Sequence, residues 1–250
     1  MTTDLTMVVT VHDETSVAGP TMRSADLAVD AARGAGLTVQ TVVALDRATA
    51  ATAAYFQQPR FDHRERWEAD EGDLGLMRNA VVRRAEGRLM AFLDADDLFG
   101  ENWLVEAARA VDDGAGRGER VIAHPEVNIV FDGQRQVWVN MPDDSPLFTP
   151  HYLYVRHYYD SLFLAPREAL LEHPFASRDL RNGLSYQDFQ FTIETLDAGW
   201  RHVAVRDTVI FKRRRDLSLV TESNSRRSVV RALPAMAIDR VRHLGTHDRG

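Results

Sequence analysis

Short apolar runs recur along the N-terminal part of the chain, and each of them ends at acidic side chains. Continuous apolar runs of this length are typical of buried strands. Three strands are predicted, over residues 5–11, 39–45 and 89–93. Alanine-rich or amphipathic segments predict helices between them, over residues 22–33, 49–56 and 74–85. This order of strands and helices predicts a mainly parallel sheet with right-handed crossovers, flanked by helices.

The strand pattern in the second part of the chain is more mixed. Residues 121–131 and 136–139 predict two antiparallel strands joined by a turn at Asp132 and Gly133. Shorter strands are predicted over residues 161–164, 200–205 and 209–211. Antiparallel strands are therefore expected to join the parallel sheet.

Helical spacing in the second part predicts helices over residues 103–111, 167–173 and 186–198. The glycine-rich segment 112–118 is expected to end the first of them, and the polar segments 57–71 and 141–150 are expected to be loops. A last helix is predicted over residues 225–244, capped by Ser225 and interrupted by Pro234.

The composition indicates a globular protein, with 44% hydrophobic and 27% charged residues among 250. The formal net charge of −7 argues against a general nucleic-acid-binding protein. The absence of cysteine excludes disulfides, thiolate zinc sites and cysteine nucleophiles. The first residues lack a signal-type segment, and no apolar run approaches the ~18 residues of a membrane span, so a cytoplasmic protein is expected. The arginines of the final segment leave peripheral membrane contact open, and a homo-oligomer also remains open.

The segment GRLMAFLDADDLFGENW, residues 87–103, places three carboxylates directly after an apolar run. Side chains alternate faces in an extended segment, so Asp94 and Asp96 point the same way while Ala95 points back. Two convergent carboxylates hold a hard divalent cation, and ligands of open α/β sheets bind at the carboxyl ends of the strands. The alternative is a solvated acidic turn.

Two other predicted strands also end in acids, at Asp13 and Glu14 and at Asp46. If the three strands are neighbours in one parallel sheet, these carboxylates form a single acidic rim. Such a rim suits a nucleotide whose base and ribose are hydrogen-bonded by carboxylates. Taken alone, each acid is more simply explained as an ordinary loop carboxylate.

Four segments resemble the family 2 glycosyltransferases of the GT-A fold. GLMRNAVVRRAEGRLMAFLDADD, residues 75–97, is similar to their most specific motif almost position for position. Weaker matches are TVHDE at residues 10–14, LD at 45–46, and SYQDFQFTIETLDAGWRHVAV at 185–205. The resemblance covers roughly residues 5–220. It implies an α/β fold, a GT-A-like, Rossmann-type mixed sheet that is mainly parallel and flanked by helices.

The resemblance also implies an inverting hexosyltransferase that uses a nucleotide-diphosphate sugar. Asp96 would ligate Mg²⁺ or Mn²⁺ on the diphosphate, supported by Asp94, and Asp188 would remove the proton of the acceptor hydroxyl. A helix-terminal acid is the alternative for Asp188. The acceptor could be a saccharide, a lipid-linked molecule or a small molecule. The residues implied in donor binding are Thr10, His12, Glu14, Asp46, Arg78, Asn79, Asp94 and Arg215.

Two departures from the family pattern stand out. The usual glutamate before the catalytic aspartate is Gln187, and Arg215 takes the position of a histidine that helps to bind the metal in many members. Arginine cannot ligate a cation, so either the metal has fewer protein ligands or Arg215 pairs with the diphosphate. The basic run 212–214 is either a solvated strand end or a binding site for phosphate or acceptor.

Sequence alone leaves two other functions open. One is a metal-dependent phosphotransferase in which an aspartate of the D-x-D motif is the nucleophile. The other is a protein that binds nucleotide sugars without catalysis. The expected organisation is a catalytic domain over residues 1–225, with its nucleotide-binding half at about 1–100 and its acceptor half at about 101–225. A helical extension over residues 226–250 is expected to follow.

Overall fold

The computed structural model describes residues 2–214 and 219–245. Strands and helices alternate through its first half. These elements are β1 (Leu5–Val11), α1 (Ala18–Gly34), β2 (Val39–Asp46), α2 (Ala50–Phe56), β3 (Glu65–Ala69), α3 (Leu74–Arg84) and β4 (Leu89–Asp94). The second half contains β5 (Leu98–Phe99), α4 (Trp103–Gly116), β6 (Val121–Asp132), β7 (Gln136–Val139), β8 (Leu164–Pro166), α5 (Arg167–Glu172), α6 (Gln187–Asp197), β9 (Arg201–Arg214) and α7 (Leu219–Ser225).

Within the described residues, one mixed sheet has the strand order β3-β2-β1-β4-β8-β6-β9-β5, with β7 paired to β6. The pairs of β1 with β2 and β4, of β2 with β3 and of β6 with β9 are parallel. The strands β8, β5 and β7 pair antiparallel with their neighbours. The predicted parallel sheet with antiparallel additions is confirmed.

Both faces of the sheet are buried, which explains why the strands are continuously apolar. Met7 and Val9 of β1 pack with α1 and α4 on one face, and Val8 packs with α3, α5 and α6 on the other. Alternate side chains of one strand therefore serve two separate hydrophobic clusters. In the described ranges, no helix is long and apolar enough to cross a membrane.

Several predicted boundaries were wrong. The helix α1 begins at Ala18 and includes Pro20 in its first turn, where a missing N–H costs little. The helix α4 extends to Gly116 instead of ending at residue 111. A Cβ on Gly114 would lie 2.3 Å from a methyl carbon of Val121. Gly114 therefore permits close packing of α4 on β6 rather than ending the helix.

Two strand predictions also failed. The predicted loop 57–71 contains β3, which pairs with β2; only Trp67 of its five residues is buried, so the strand carries little hydrophobic signal. The two short strands predicted at 200–205 and 209–211 are one strand, β9. Asp207 within it takes a left-handed conformation with φ of 58°, and the register with β6 shifts between Pro125 and Val127.

The predicted last helix over residues 225–244 was wrong. Ser225 ends α7 instead of starting a helix, and Arg227 follows with φ of 51°. Beyond it, Val229 forms a bridge to Leu184, and short 3₁₀ turns lie at Pro234–Met236 and Val241–His243. Tertiary packing of Ala235, Val241 and Leu244 against α6 and Leu153 replaces helical hydrogen bonds.

Candidate functional site

A cleft of about 900 Å³ opens at the carboxyl ends of β1, β2 and β4. The N-terminal ends of α3 and α6, the end of β9 and α7 complete its walls. Because the three strands are adjacent and parallel, their terminal acids do form one rim. The predicted site residues that line the cleft are Thr10, His12, Glu14, Asp46, Arg78, Asp94, Asp96 and Asp188.

The segment that follows β1 contacts the end of β2 and is stabilised by hydrogen bonds of its own side chains. His12 Nδ1 lies 2.8 Å from the carbonyl oxygen of Asp46. The Glu14 carboxylate accepts hydrogen bonds from the backbone N–H groups of His12 and Asp13 at 2.7 and 2.9 Å. Glu14 therefore shapes the loop that its own segment forms beside the cleft.

Asp46 at the end of β2 is buried and fixes the segment that leads into α3. Its carboxylate accepts the backbone N–H of Glu71 at 2.8 Å and that of Gly72 at 3.0 Å. Gly72 has φ of 64°, a conformation that glycine adopts without steric cost. Asp46 thus sets the position of the N-terminal end of α3, in addition to lining the cleft.

Asp94, at the end of β4, is paired with a buried arginine. Arg78 of α3 donates to Asp94 Oδ1 at 2.7 Å, and the Thr10 hydroxyl donates to the same oxygen at 2.7 Å. Burial raises the pKa of Asp94, but the charges of Arg78 and Lys212 and the Thr10 hydrogen bond outweigh it and leave that pKa below its ordinary value. Asp94 is therefore a fixed negative charge on the cleft floor.

Asp96 and Asp97 form the turn between β4 and β5. Asp96 lines the cleft, and its carbonyl oxygen accepts a 3.3 Å hydrogen bond from Arg213 Nε. Asp97 is buried and accepts the backbone N–H of Arg213 at 2.7 Å. Burial, with the charges of Asp94 and Asp96, raises the pKa of Asp97 to about 8 against the opposing charge of Lys212.

Lys212 on β9 is the only lysine in the sequence, and it is buried beside this turn. Its Nζ lies 2.5 Å from Asp160 Oδ1 and 3.5 Å from Asp97 Oδ2. Burial lowers the pKa of Lys212, but the charges of Asp160, Asp97 and Asp94 outweigh it and raise that pKa. The ammonium therefore compensates acids that would otherwise repel one another.

Asp188 lies across the cleft, in the first turn of α6. Its Oδ1 accepts the backbone N–H of Phe189 at 3.0 Å, and its Oδ2 lies 3.8 Å from His157 Nδ1. The preceding residue, Gln187, donates to Asp73 Oδ1 at 2.6 Å and to the Ala176 carbonyl oxygen at 2.6 Å. Asp73 caps α3 through the Leu76 N–H, so Gln187 ties the start of α6 to the start of α3.

Two predicted residues do not contribute a described side chain to the cleft. The amide of Asn79 is buried behind it and makes reciprocal hydrogen bonds of 2.8 and 2.9 Å with the backbone of Phe175. Asn79 therefore positions a supporting loop rather than lining the cleft. Arg215 lies outside the described residues. Arg213 and Arg214, its predecessors, line the cleft.

Several residues that support these groups were not predicted from the sequence to belong to the site. They are Asp73, His157 and Asp160, together with an ion pair of 3.1 Å between Arg178 and Glu222. None of these residues follows a long apolar run, so the strand-end pattern that identified Asp94 could not identify them. The lone lysine among many arginines was the one compositional signal for the buried cluster.

The carboxylates of the cleft wall provide oxygen ligands of the type that divalent cations prefer. Of the residues described, no three His, Cys, Asp or Glu side chains are arranged to hold a metal ion by themselves. Mg²⁺ in phosphate-transfer sites is usually bound through one or two carboxylates plus substrate phosphates. Asp96 and Asp94 on the cleft wall supply oxygen ligands of that kind. The donor set therefore fits a cation shared with a bound diphosphate rather than a cage made by protein alone.

Comparison by sequence finds no matching family model and no matching curated protein. Solved structures do match. Residues 1–349 of S. aureus TarS in complex with UDP-GlcNAc match with a TM-score of 0.59 and 16% identity, over 89% of this chain and 61% of that chain. GalNAc-T7 with UDP, GalNAc and Mn²⁺ matches with a TM-score of 0.57 and 15% identity, over 86% and 44%.

A longer structure of S. aureus TarS matches with a TM-score of 0.59 and 15% identity, over 85% of this chain. The chain spans 37% of that structure and at most 61% of the others. The predicted mixed sheet, mainly parallel and flanked by helices, is thus confirmed by topology and by these neighbours. The chain has the fold of the GT-A glycosyltransferases.

Proposed function

We propose that this chain is an inverting glycosyltransferase of the family 2 type, which moves a hexose from a nucleotide-diphosphate sugar to an acceptor hydroxyl. The observation that carries the proposal is that Asp188 and the acidic turn with Asp94 and Asp96 line one cleft. The fold and the nucleotide-bound neighbours support the donor class. The cleft volume of about 900 Å³ lies within the range of small-molecule sites.

In this proposal the cleft has two sides. The donor side consists of the carboxyl ends of β1, β2 and β4 with the N-terminal end of α3. The acceptor side consists of the N-terminal end of α6, the end of β9 and α7. Asp46 and the His12 loop would hold the nucleoside on the donor side, and Asp96 with Asp94 would hold Mg²⁺ or Mn²⁺. The cation, when bound, would neutralise charge on the leaving diphosphate.

Asp188 would act as the general base of a single displacement. The acceptor oxygen bonds to the anomeric carbon while its proton passes to the Asp188 carboxylate. The bond from that carbon to the diphosphate oxygen breaks, and the nucleoside diphosphate leaves with the electron pair. Attack from the face opposite the leaving group inverts the configuration. Arg213 and Arg214 on the cleft wall would add positive charge near the diphosphate.

A panel of sugar nucleotides tests this proposal. Thermal unfolding would be measured with UDP, GDP, dTDP and ADP sugars, each with Mn²⁺, with Mg²⁺ and with a chelator. A donor at a hundred times its Kd should stabilise the native state by about 2.7 kcal/mol. We expect at least one donor to stabilise the protein, and to do so more strongly with a cation. Stabilisation by none of them would refute the donor class.

Two matched variants test whether Asp96 contributes to cation-dependent donor binding. Asp96→Asn should weaken the cation-dependent part of donor affinity by about tenfold or more, because it removes a charged oxygen ligand. Asp113→Asn, an exposed acid on α4, should leave donor affinity unchanged. Release of nucleoside diphosphate from the stabilising donor would exclude a protein that only binds it. Trapping of a phosphorylated aspartate would instead favour a phosphotransferase.

A further inference from the structure

His157 lies in the loop before β8 and packs on the helix that carries Asp188. Its Nε2 is 2.9 Å from the Thr192 hydroxyl oxygen, and its ring stacks on Phe189 with a centroid distance of 4.7 Å and an interplanar angle of 14°. The His157 side chain is only 12% exposed. Contacts at one nitrogen and on one face thus fix the orientation of the imidazole.

The second nitrogen of His157 faces the proposed base. Nδ1 lies 3.8 Å from Asp188 Oδ2, and Asp188 and Thr192 are one helical turn apart on the same face of α6. The distance is longer than a hydrogen bond, and contacts of this kind often tighten only when substrate is bound. Asp188 Oδ1 already accepts the Phe189 N–H, so the two oxygens have different partners.

The surroundings keep the imidazole neutral. Burial lowers the pKa of His157, and the charges of Asp188 and Asp160 oppose that effect without cancelling it. Tyr159 packs edge-on against the His157 ring, and His124 of β6 stacks on Tyr159 with a centroid distance of 4.1 Å. Burial lowers the pKa of His124 as well. Above pH 7 the ring therefore carries one N–H, on either Nδ1 or Nε2.

The hydroxyl of Thr192 can pair with either tautomer, so the carboxylate on the other side of the ring decides between them. A threonine hydroxyl can donate or accept, and a donor toward Nε2 leaves the ring proton on Nδ1. That arrangement puts an N–H group opposite the charged Asp188 oxygen, whereas the other tautomer would place a lone pair there. Electrostatics therefore favour the Nδ1–H form.

We propose that His157 is a positioning residue for Asp188: the imidazole, oriented by Thr192 and Phe189, donates its Nδ1–H to Asp188 Oδ2 and holds that carboxylate aimed into the cleft. This inference rests on the proposed function, in which Asp188 is the general base. His157 touches neither donor nor acceptor in this role.

Two isosteric substitutions separate orientation from packing. His157→Asn places an amide donor where Nδ1 lies, and His157→Gln places one near Nε2 and removes the group facing Asp188. We expect His157→Gln to lower kcat by about tenfold or more and to move the acidic limb of the kcat profile to higher pH. The KM for the donor should stay within about twofold, since donor binding is untouched. His157→Asn should retain most of the wild-type kcat.

A second measurement does not depend on transfer. Long-range proton–nitrogen NMR of uniformly ¹⁵N-labelled protein at pH 7.5 reports the tautomer of each histidine. We expect His157 to be neutral with its proton on Nδ1, and Thr192→Val to raise the Nε2–H population. Assignment would use the loss of signals in His157→Asn.

The two experiments fail in distinguishable ways. An Nε2–H tautomer in the wild-type protein, or equal kcat for His157→Gln and wild type, would overturn the role of His157. A wild-type protein that shows the Nδ1–H tautomer but transfers no sugar would instead refute the proposed function and leave the contact with Asp188 intact. In an Asp188→Asn background, His157→Gln should change the remaining activity little, because both act through one carboxylate.

Discussion

The donor side of the cleft is made mainly from the ends of neighbouring strands, whereas the acceptor side is held by individual side-chain contacts between loops and helices. On the donor side, Thr10 and Asp94 end adjacent strands, and both arrive there because apolar runs place them. Gln187 at the start of α6 meets Asp73, on the donor side, across 114 positions, and Arg178 meets Glu222 of α7 across 44. Sheet geometry brings the strand ends of the donor side together, and individual long-range contacts position the acceptor side.

Backbone conformation differs between the two sides as well. Asp94 continues a regular strand. Tyr186, immediately before α6, has φ of 63° and ψ of 58°, a left-handed conformation that costs a non-glycine residue about 1–2 kcal/mol. Its hydroxyl donates to Asn224 at 2.7 Å, and Ser185 bonds to Ser223 at 2.8 Å. The acceptor side thus depends on α7 to hold a conformation that local sequence does not favour.

Among the substitutions at the cleft, Asp188→Asn is expected to have the largest effect. If the donor side binds and the acceptor side reacts, Asp188→Asn should lower transfer by about a thousandfold while leaving donor affinity near normal, because only the general base is lost. Isothermal titration with the donor and initial-rate assays would measure the two separately. Asp197→Asn is the matched control, since Asp197 is on the same helix and only makes a half-exposed pair with Arg240. Transfer at wild-type rates by Asp188→Asn would show that Asp188 is not the general base and would contradict the proposed division of the cleft into a binding side and a reacting side.

Lys212 joins the two sides of the cleft through its contacts with Asp97 and Asp160. Lys212→Met leaves buried carboxylates uncompensated and should lower the free energy of unfolding by about 3–5 kcal/mol at pH 7. Urea unfolding monitored by fluorescence would measure it. Arg117→Met, which breaks an exposed pair with Glu119, should cost less than about 1 kcal/mol.

The pH dependence of that loss follows from Asp160. Burial raises its pKa, but Lys212 outweighs burial and holds it below the ordinary value. A group with a lowered native pKa contributes stability above its unfolded pKa and loses it as the pH falls through the native one. Lys212 has a raised pKa and stays charged throughout the acidic range. The gap between wild type and Lys212→Met should therefore be widest near pH 7 and close below about pH 4. A gap independent of pH would indicate lost packing rather than lost charge compensation.

The same contrast explains what could be predicted from sequence. Apolar runs predict strands, and parallel strands bring their carboxyl ends together, so the acidic rim with Asp46 and Asp94 follows from local pattern. Asp160 and His157 take part through tertiary contacts with Lys212 and Asp188, which no local pattern encodes. The strand β3 escaped prediction because backbone pairing with β2 defines it, and only one of its five residues is buried.

The failure of the predicted C-terminal helix has the same origin. The pattern of residues 225–244 resembles that of a helix, but Arg227 takes a left-handed conformation and Pro234 lacks an N–H donor. Val241 and Leu244 are instead buried against the cluster around Leu153. Tertiary burial therefore outweighs a helix propensity that is worth only tenths of a kcal/mol per residue.

The smallest predicted effect tests the contact that ties the two sides together. Gln187→Glu restores the glutamate of the family pattern, but it replaces an amide donor with a carboxylate facing Asp73 Oδ1 and the Ala176 carbonyl oxygen. We expect a loss of about 1–3 kcal/mol in the free energy of unfolding at pH 7, from the missing hydrogen bonds and like-charge repulsion. Gln57→Glu, at an exposed position, should change the free energy of unfolding by less than about 0.5 kcal/mol.

Asp73→Asn in the Gln187→Glu chain should recover part of the loss, because asparagine can both cap α3 and donate to the new carboxylate. Additive losses in that double variant would show that Gln187 and Asp73 do not act together, and that the acceptor side is held to the donor side by other contacts.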